Sequence, residues 1–437
     1  MSESSPVIPG ELSTQGRMLV LAAAFFGWMF AGLQMIIVPL VARSATIDML
    51  GWNAAELTKS QSGRVGEWFA WYICAFLMGA AAGGLLFGWL GDRIGRVKAM
   101  GFSILCYSLL TGVSYFVGSP EQLLVLRFLA AFGIGGMWPN GVALASEAWS
   151  DVSRPMLAGV IGTSANVGIW GGGALSAAIV ITPESWRWIL LVGAIPVFLG
   201  VAVLAMVPES PHWLASRSRE RSGPPRMPVA EVFRPPLLRL TLIGICLGAI
   251  PLLGGWGSGN WLIPWSGQVY KGDVADFKGW VVMARSSGAI LGALAGGWLA
   301  NLFGRRSTYF VISLGSLAIS GYLFRMISPA DGNEFLVWAF LLGLVSTVYF
   351  GWLPLYLPEL FPTHARATGA GVTFNFGRIL ATVGVLGAGA LSRVFEGDFA
   401  RVGAVTSLIY AAGMVVILFA PDTSTAKLHV EVEPETV

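Results

Sequence analysis

Charge is scarce in this 437-residue chain. Asp, Glu, Lys and Arg make up 12% of it, about half the share found in soluble globular proteins. Hydrophobic residues make up 55%. A water-soluble domain of this length has too little interior to hide so much apolar surface. That excludes a soluble enzyme, a disordered chain and a fibrous one. Cysteine is also scarce. Cys74, Cys106 and Cys246 lie in apolar runs and are odd in number, which points to small buried hydrophobes and excludes a disulfide framework. The three histidines, His212, His364 and His429, are far apart in sequence, so no catalytic or metal cluster is expected. No phosphate-binding Gly-x-x-x-x-Gly-Lys-Ser/Thr loop occurs, and no cofactor is expected. Neither charge sign dominates, with a net of +3, so a nucleic-acid partner is not expected.

What the chain does have is long apolar runs. Spanning a hydrocarbon core of about 30 Å takes roughly 20 helical residues. Twelve such runs are present, over 18–42, 67–90, 98–118, 122–145, 156–181, 187–207, 237–264, 279–303, 307–328, 333–357, 367–391 and 402–420. The first is too long for a signal peptide and lacks a small-residue cleavage site, so it reads as a retained helix. An even number of spans puts both termini on one side. Basic residues favour that side: loops 92–98 and 304–306 are basic, whereas 118–121 has none. The positive-inside bias therefore places both termini in the cytoplasm. In that tally Arg127 and Arg285 belong to helix ends of the opposite side, leaving Arg378 as the one charge inside a span. Segment 208–236, rich in Pro, Arg and Ser, divides the chain almost in half. It reads as a cytoplasmic linker between bundles 18–207 and 237–421, with tails 1–17 and 422–437.

The halves repeat each other. Gly88–Arg96 recurs as Gly297–Arg305, an offset of 209 (297 − 88). Glu147 and Arg154 recur as Glu359 and Arg366, an offset of 212 (359 − 147), and Ala158-Gly159-Val160 recurs as Ala370-Gly371-Val372 at the same offset. Two parallel repeats imply a small-molecule site between them near mid-membrane, with alternating access by rocking of the halves.

Four motifs carry a resemblance. Gly88-Trp-Leu-Gly-Asp92-Arg93-Ile-Gly95-Arg96-Val-Lys98 resembles the helix 2–3 loop signature of the major facilitator superfamily. Arg127-Phe-Leu through Gly133-Ile-Gly-Gly136 is similar to its helix 4 motif. Pro208-Glu-Ser-Pro-His-Trp-Leu214 resembles the signature after helix 6. Pro358-Glu-Leu-Phe-Pro-Thr363 with Arg366-Ala-Thr-Gly369 resembles the entry to helix 11. The last two are typical of a branch holding sugar porters, aromatic-acid symporters and organic-ion carriers. The resemblance implies an all-α membrane fold of twelve helices in two pseudo-symmetric six-helix bundles. It also implies a gate in which Asp92, Arg96, Glu147 and Arg154 form an ion-pair network latching the outward-open state, with Glu359 and Arg366 as the second copy. Asn301 replaces the acid there, so that latch is expected to be weaker.

Polar groups inside a span are costly and usually face a cavity. Arg378 sits mid-span with no acid at equal depth in any helix. A bound organic anion is one source of the missing countercharge, since the guanidinium fork matches a carboxylate; backbone carbonyls are the other. Gln34, Trp138, Asn140, Asn166 (the repeat partner of Arg378) and Trp352 are further intramembrane candidates, as are Trp256, Asn260 and Trp261 in the glycine-rich stretch 254–261. Carriers of aromatic acids that resemble this chain have an acid in helix 1, where this chain reads Phe30-Ala-Gly-Leu-Gln-Met35, which leaves uniport or exchange beside symport. The expected function is an alternating-access transporter, not an enzyme, for an aromatic or carboxylic acid. A neutral sugar uniporter and a non-transporting membrane sensor are the alternatives. The chain is expected to work as a monomer among lipids of a bacterial inner membrane.

Overall fold

The computed structural model describes residues 12–149, 154–211, 213–214, 229–272, 276–362 and 365–423. Most of the linker and of both tails therefore lies outside the described residues, as do the three histidines.

The described residues form twelve spanning units, and each apolar run became one of them. They are α1 (Thr14–Met49), α2 (Lys59–Ile94), α3 (Arg96–Val113), α4 (Pro120–Ala148), α5 (Arg154–Ala178) and α6 (Trp188–Ala194 continuing as Val197–Met206). The second half holds α7 (Leu238–Leu252, broken, resuming as Leu262–Val269), α8 (Phe277–Phe303), α9 (Arg305–Met326), α10 (Asn333–Thr347 continuing as Leu353–Glu359), α11 (Arg366–Val394) and α12 (Phe399–Thr406 and Ile409–Leu418). Eleven of them are long and apolar enough to cross a membrane. The exception is α5, whose 25 residues are diluted by glycine, serine and Asn166. Hydrocarbon leaves backbone N–H and C=O groups no water to bond, so a helix, which satisfies them internally, is the form these segments take.

Helix ends follow local chemistry. The Ser13 hydroxyl accepts from Gly16 N–H at 3.2 Å to start α1, and Thr58 with Gln61 makes a capping box on α2. Such caps satisfy donors that the first turn leaves free. Both helices run longer than their apolar cores suggested, because polar ends project past the hydrocarbon.

The repeat is visible in packing. A Cβ on Gly79 or Gly83 of α2 would collide with the carbonyl oxygens of Phe128 and Phe132 on α4. Their 209-offset partners, Gly288 and Gly292 of α8, meet Phe340 and Leu344 of α10 in the same way, at the 212 offset. Close approach through small residues is how helices gain contact area in lipid. Gly95 and Gly304 also correspond, with φ of 111° and 82°, a region that favours glycine. Each makes the sharp turn into the following helix.

The halves touch mainly through α2 with α11 and α5 with α8. We predict that Gly83→Val lowers the stability of the purified protein by ~1–3 kcal/mol, whereas Gly171→Val, where a Cβ meets nothing within 4 Å, does not. Thermal unfolding of both variants in one detergent checks this; equal midpoints would count against the packing argument.

Candidate functional site: a cavity between the halves

A cavity of about 480 Å³ lies between the two bundles. Residues from both halves line it. Trp28 of α1, Phe76 of α2, Trp138 of α4 and Asn166 of α5 come from the first half; Trp256 and Asn260 of α7, Arg285 of α8, Phe350 of α10, and Phe374 and Arg378 of α11 come from the second. Trp28 and Trp138 meet at a tilt of 48° with centroids 5.1 Å apart. Phe76 meets Trp256 across the halves at 4.5 Å.

Of the nine expected substrate-site residues, Arg378, Trp138, Asn166, Trp256 and Asn260 line this cavity. The other four do not. Gln34 is fully buried within the first bundle, donating to Gly193 O and accepting from Thr111 Oγ1 at 2.7 Å. Asn140 ties α4 to α2 by donating to Phe87 O at 2.9 Å. Trp261 packs between Phe69 and Phe399 and donates to Gly257 O at 2.9 Å. Trp352 is buried against Tyr309 and Tyr356. A polar or aromatic residue at mid-membrane depth has two faces to choose from, and periodicity alone does not say which faces the cavity.

The structure also corrects the charge tally. Arg127 is no helix-end residue. It is buried in α4, donating to Gln34 O at 2.8 Å and Met35 O at 3.2 Å, with its guanidinium over the Phe76 ring. Arg285 lies about two turns into α8 and lines the cavity. Its sequence position, six residues from the start of the apolar run, looked close enough to reach the surface by snorkelling. The repeat held the missing signal: Arg285 is the 209-offset partner of Phe76, deep within α2.

The break in α7 falls in the glycine-rich stretch 254–259. Leu253–Ser258 is a π-helical turn and Gly259–Trp261 a 3-10 turn. Glycine lowers the cost of leaving α geometry, and the carbonyls so freed need donors. Arg285 supplies them: Nη2 donates to Gly255 O at 3.1 Å and Nη1 to Asn260 Oδ1 at 2.7 Å. Arg378 is far less engaged. Its Nη1 donates to Ala80 O of the opposite half at 3.3 Å, and its guanidinium lies 4.7 Å from the Phe374 ring centre. Among the described residues, no carboxylate lines the cavity.

The expected gate residues fall into two separate sets. In the first half Arg96 pairs with Asp92 at 2.6 Å and approaches Glu147 at 3.8 Å. In the second, Arg305 pairs with Glu359 at 3.1 Å and donates to Asn301 at 2.8 Å. Glu359 thus pairs with Arg305, whereas the Arg366 Nε is buried without a hydrogen-bond partner among the described residues. The side chain of Arg154 lies outside the described residues. Glu209, beyond the expected set, accepts from the N–H groups of Arg96 and Val97 at the start of α3.

Ion pairs between the halves lie at the opposite face. Glu67 pairs with Arg393 at 3.3 Å and Lys59 with Glu396 at 3.5 Å. A more buried clasp joins the end of α5 to the start of α8 at the same face. Asp276 accepts from Ser176 Oγ at 2.6 Å and from Ile181 N–H at 3.2 Å, while Lys278 donates to Ile181 O at 3.1 Å. Toward the face where α1 begins, the cavity wall borders open space: a Cβ on Gly159 of α5 or Gly371 of α11, both in that wall, meets nothing within 4 Å. The cavity is therefore closed on one side and leads toward the other.

The family model of the Major Facilitator Superfamily matches residues 18–384. The chain belongs to that superfamily. A putative niacin/nicotinamide transporter of Bacillus subtilis is 30% identical to it, over 85% of this chain and 88% of that one. A cis,cis-muconate transport protein of Acinetobacter baylyi is 29% identical, over 72% and 77%. A crystal structure of a D-xylose-proton symporter superposes with a TM-score of 0.70 at 16% identity, covering 94% of this chain and 99% of that one, and so shares the fold. This facilitator is thus a multi-pass integral membrane transporter of a small molecule and not an enzyme. Its twelve helices are those of the superfamily.

We predict that Asp276→Ala weakens the closed side by ~1–3 kcal/mol and opens it more often. Spin labels at positions 64 and 394, at the closed ends of α2 and α11, should report a larger population at long distance. An unchanged distance distribution would remove the clasp from the gating scheme.

Proposed function

We propose that this facilitator carries a small organic anion, an aromatic or unsaturated carboxylate, by alternating access. One observation carries the reading. Two guanidinium groups, Arg285 and Arg378, line a cavity whose described residues offer no carboxylate to neutralise them. A buried cation without countercharge is costly, and a substrate carboxylate removes that cost while gaining charge-assisted hydrogen bonds. The aromatic walls suit a flat, unsaturated body. Of the cargoes in the names of the two relatives, niacin and cis,cis-muconate are an aromatic and an unsaturated carboxylate and support the same class; nicotinamide, the other named with niacin, is a neutral amide.

The charge asymmetry between the halves supports it further. At equivalent repeat positions the first half places Phe76 and Asn166, and the second places Arg285 and Arg378. The second bundle thus supplies the charge recognition and the first supplies a neutral wall.

In this reading both termini and the 208–236 linker lie in the cytoplasm of a bacterial inner membrane, as the basic loops require. The closed side is then the periplasmic one, and the structure is inward-facing. The Asp92–Arg96–Glu147 set, with Arg154, meets the second half when the cytoplasmic side closes, while the Glu359 and Arg366 region forms the weaker copy. The protein acts as a monomer surrounded by lipid, without nucleic acid or a cofactor.

Carboxylates such as nicotinate should raise the unfolding temperature of the purified protein, while neutral sugars should not. Arg378→Ala should lower carboxylate affinity about 10- to 100-fold, the equivalent of ~1.5–3 kcal/mol for a charged hydrogen bond. Stabilisation by sugars and not by carboxylates would replace this reading with that of a neutral-solute carrier.

A further inference from the structure

The polar groups lining the cavity are not equally available to a ligand. The hydroxyls of Thr163, Ser286 and Ser346 donate to carbonyls of their own helices, at 2.9, 2.7 and 2.6 Å. Both terminal nitrogens of Arg285 donate to α7. Asn260 is different. It is 3% exposed, its Oδ1 is bound by Arg285, and its Nδ2 is buried with no hydrogen-bond partner among the described residues.

The orientation of that amide is fixed by chemistry. A guanidinium has five N–H donors and no acceptor. The Asn260 atom that faces Arg285 at 2.7 Å must therefore be the oxygen, and the amide nitrogen is turned away from it. A flip would set N–H against N–H beside a full positive charge. Arg285 thus makes Asn260 a donor and prevents it from acting as an acceptor. A buried donor left without a partner costs about 1–3 kcal/mol, and an acceptor on a ligand in the cavity that Asn260 lines would remove that cost.

We propose that Asn260 is a specificity-determining residue that reads a second hydrogen-bond acceptor on the substrate, and that Arg285 is a positioning residue which sets the polarity of its amide. The substrate class is then narrower than an organic anion: a carboxylate held by Arg378 whose body also carries an acceptor, such as a ring nitrogen or a second carboxylate. The two groups are divided between helices. Arg378 stands on α11, with one hydrogen bond among the described residues, the 3.3 Å bond to Ala80 O, to give up, and Asn260 stands at the break of α7. The inference rests on the anion reading of the cavity and sharpens it.

Matched probe pairs test it. Nicotinate and benzoate differ only by the ring nitrogen; muconate and 2,4-hexadienoate differ by the second carboxylate. Binding is measured by calorimetry on the full-length protein. The two-acceptor member of at least one pair should bind roughly 10- to 100-fold tighter than its partner, as expected when a site built to donate a hydrogen bond meets an analogue that lacks the acceptor. Asn260→Leu should bring that ratio close to one by weakening only the two-acceptor probe. Arg285→Gln, which frees the Asn260 amide to turn, should also lower the ratio, whereas Arg285→Lys, still a donor toward Oδ1, should keep more of it. Arg378→Ala should weaken both members alike.

Two results overturn the proposal: equal binding of both members in each pair by the wild type, or a preference that survives Asn260→Leu. If Asn260→Leu does not fold, the wild-type ratio and the Arg285 variants decide. A wild type that binds no carboxylate overturns the anion reading itself, and this inference with it. Carboxylate binding without preference overturns this inference alone.

Discussion

A guanidinium in hydrocarbon costs several kcal/mol unless something takes the place of water, and the centre of this transporter is arranged around that cost. Arg127 meets it with two backbone carbonyls of α1 and an aromatic face, and thereby fastens α4 to α1. Arg285 meets it with the broken α7, whose freed carbonyl and Asn260 side chain fit the fork. The break and the arginine require each other: without the donor the π-helical turn leaves a carbonyl unsatisfied, and without the break the arginine has little to bond. Arg378 has one hydrogen bond among the described residues, to Ala80 O of the other half at 3.3 Å, and in the proposed reading its remaining donors serve the substrate.

The repeat makes this arrangement possible. Equivalent glycines set equivalent helix approaches in the two bundles, so the halves share a frame while differing in what they present inward. Asp92 becomes Asn301 and Phe76 becomes Arg285 across the repeat. The first exchange removes an acid from the second ion-pair set, and the second moves a cation into the cavity. Functional asymmetry is thus written onto a symmetric scaffold by substitutions at equivalent points.

The side of closure follows from where the strong inter-half contacts fall. Asp276, Lys278, Glu67 and Arg393 join the halves at one face, while the Arg96 and Arg305 pairs each stay within a single half. Those two sets also receive the chain segments that follow each bundle: Trp213 Nε1 donates to Asp92 O at 2.9 Å, and Thr423 Oγ1 donates to Glu359 at 2.6 Å. Each ion-pair set is therefore held by the segment that leaves its own bundle.

The amino-acid sequence alone determined the medium, the twelve spans, the repeat and the family, because each is a property of long runs or of motifs at fixed spacing. It also singled out Arg378, the charge deepest in a span. Depth is legible along a chain, but facing is not. Gln34 and Asn140 lie at membrane depth like Asn166, and only packing shows that the first two bond within the first bundle while the third lines the cavity. Arg285 was hidden for the opposite reason: its distance from the end of an apolar run suited a snorkelling side chain, and only the neighbouring break in α7 draws it inward. Which polar groups are already bonded, and which remain open to a substrate, is a relation between helices far apart in sequence, and the tertiary structure alone decides it.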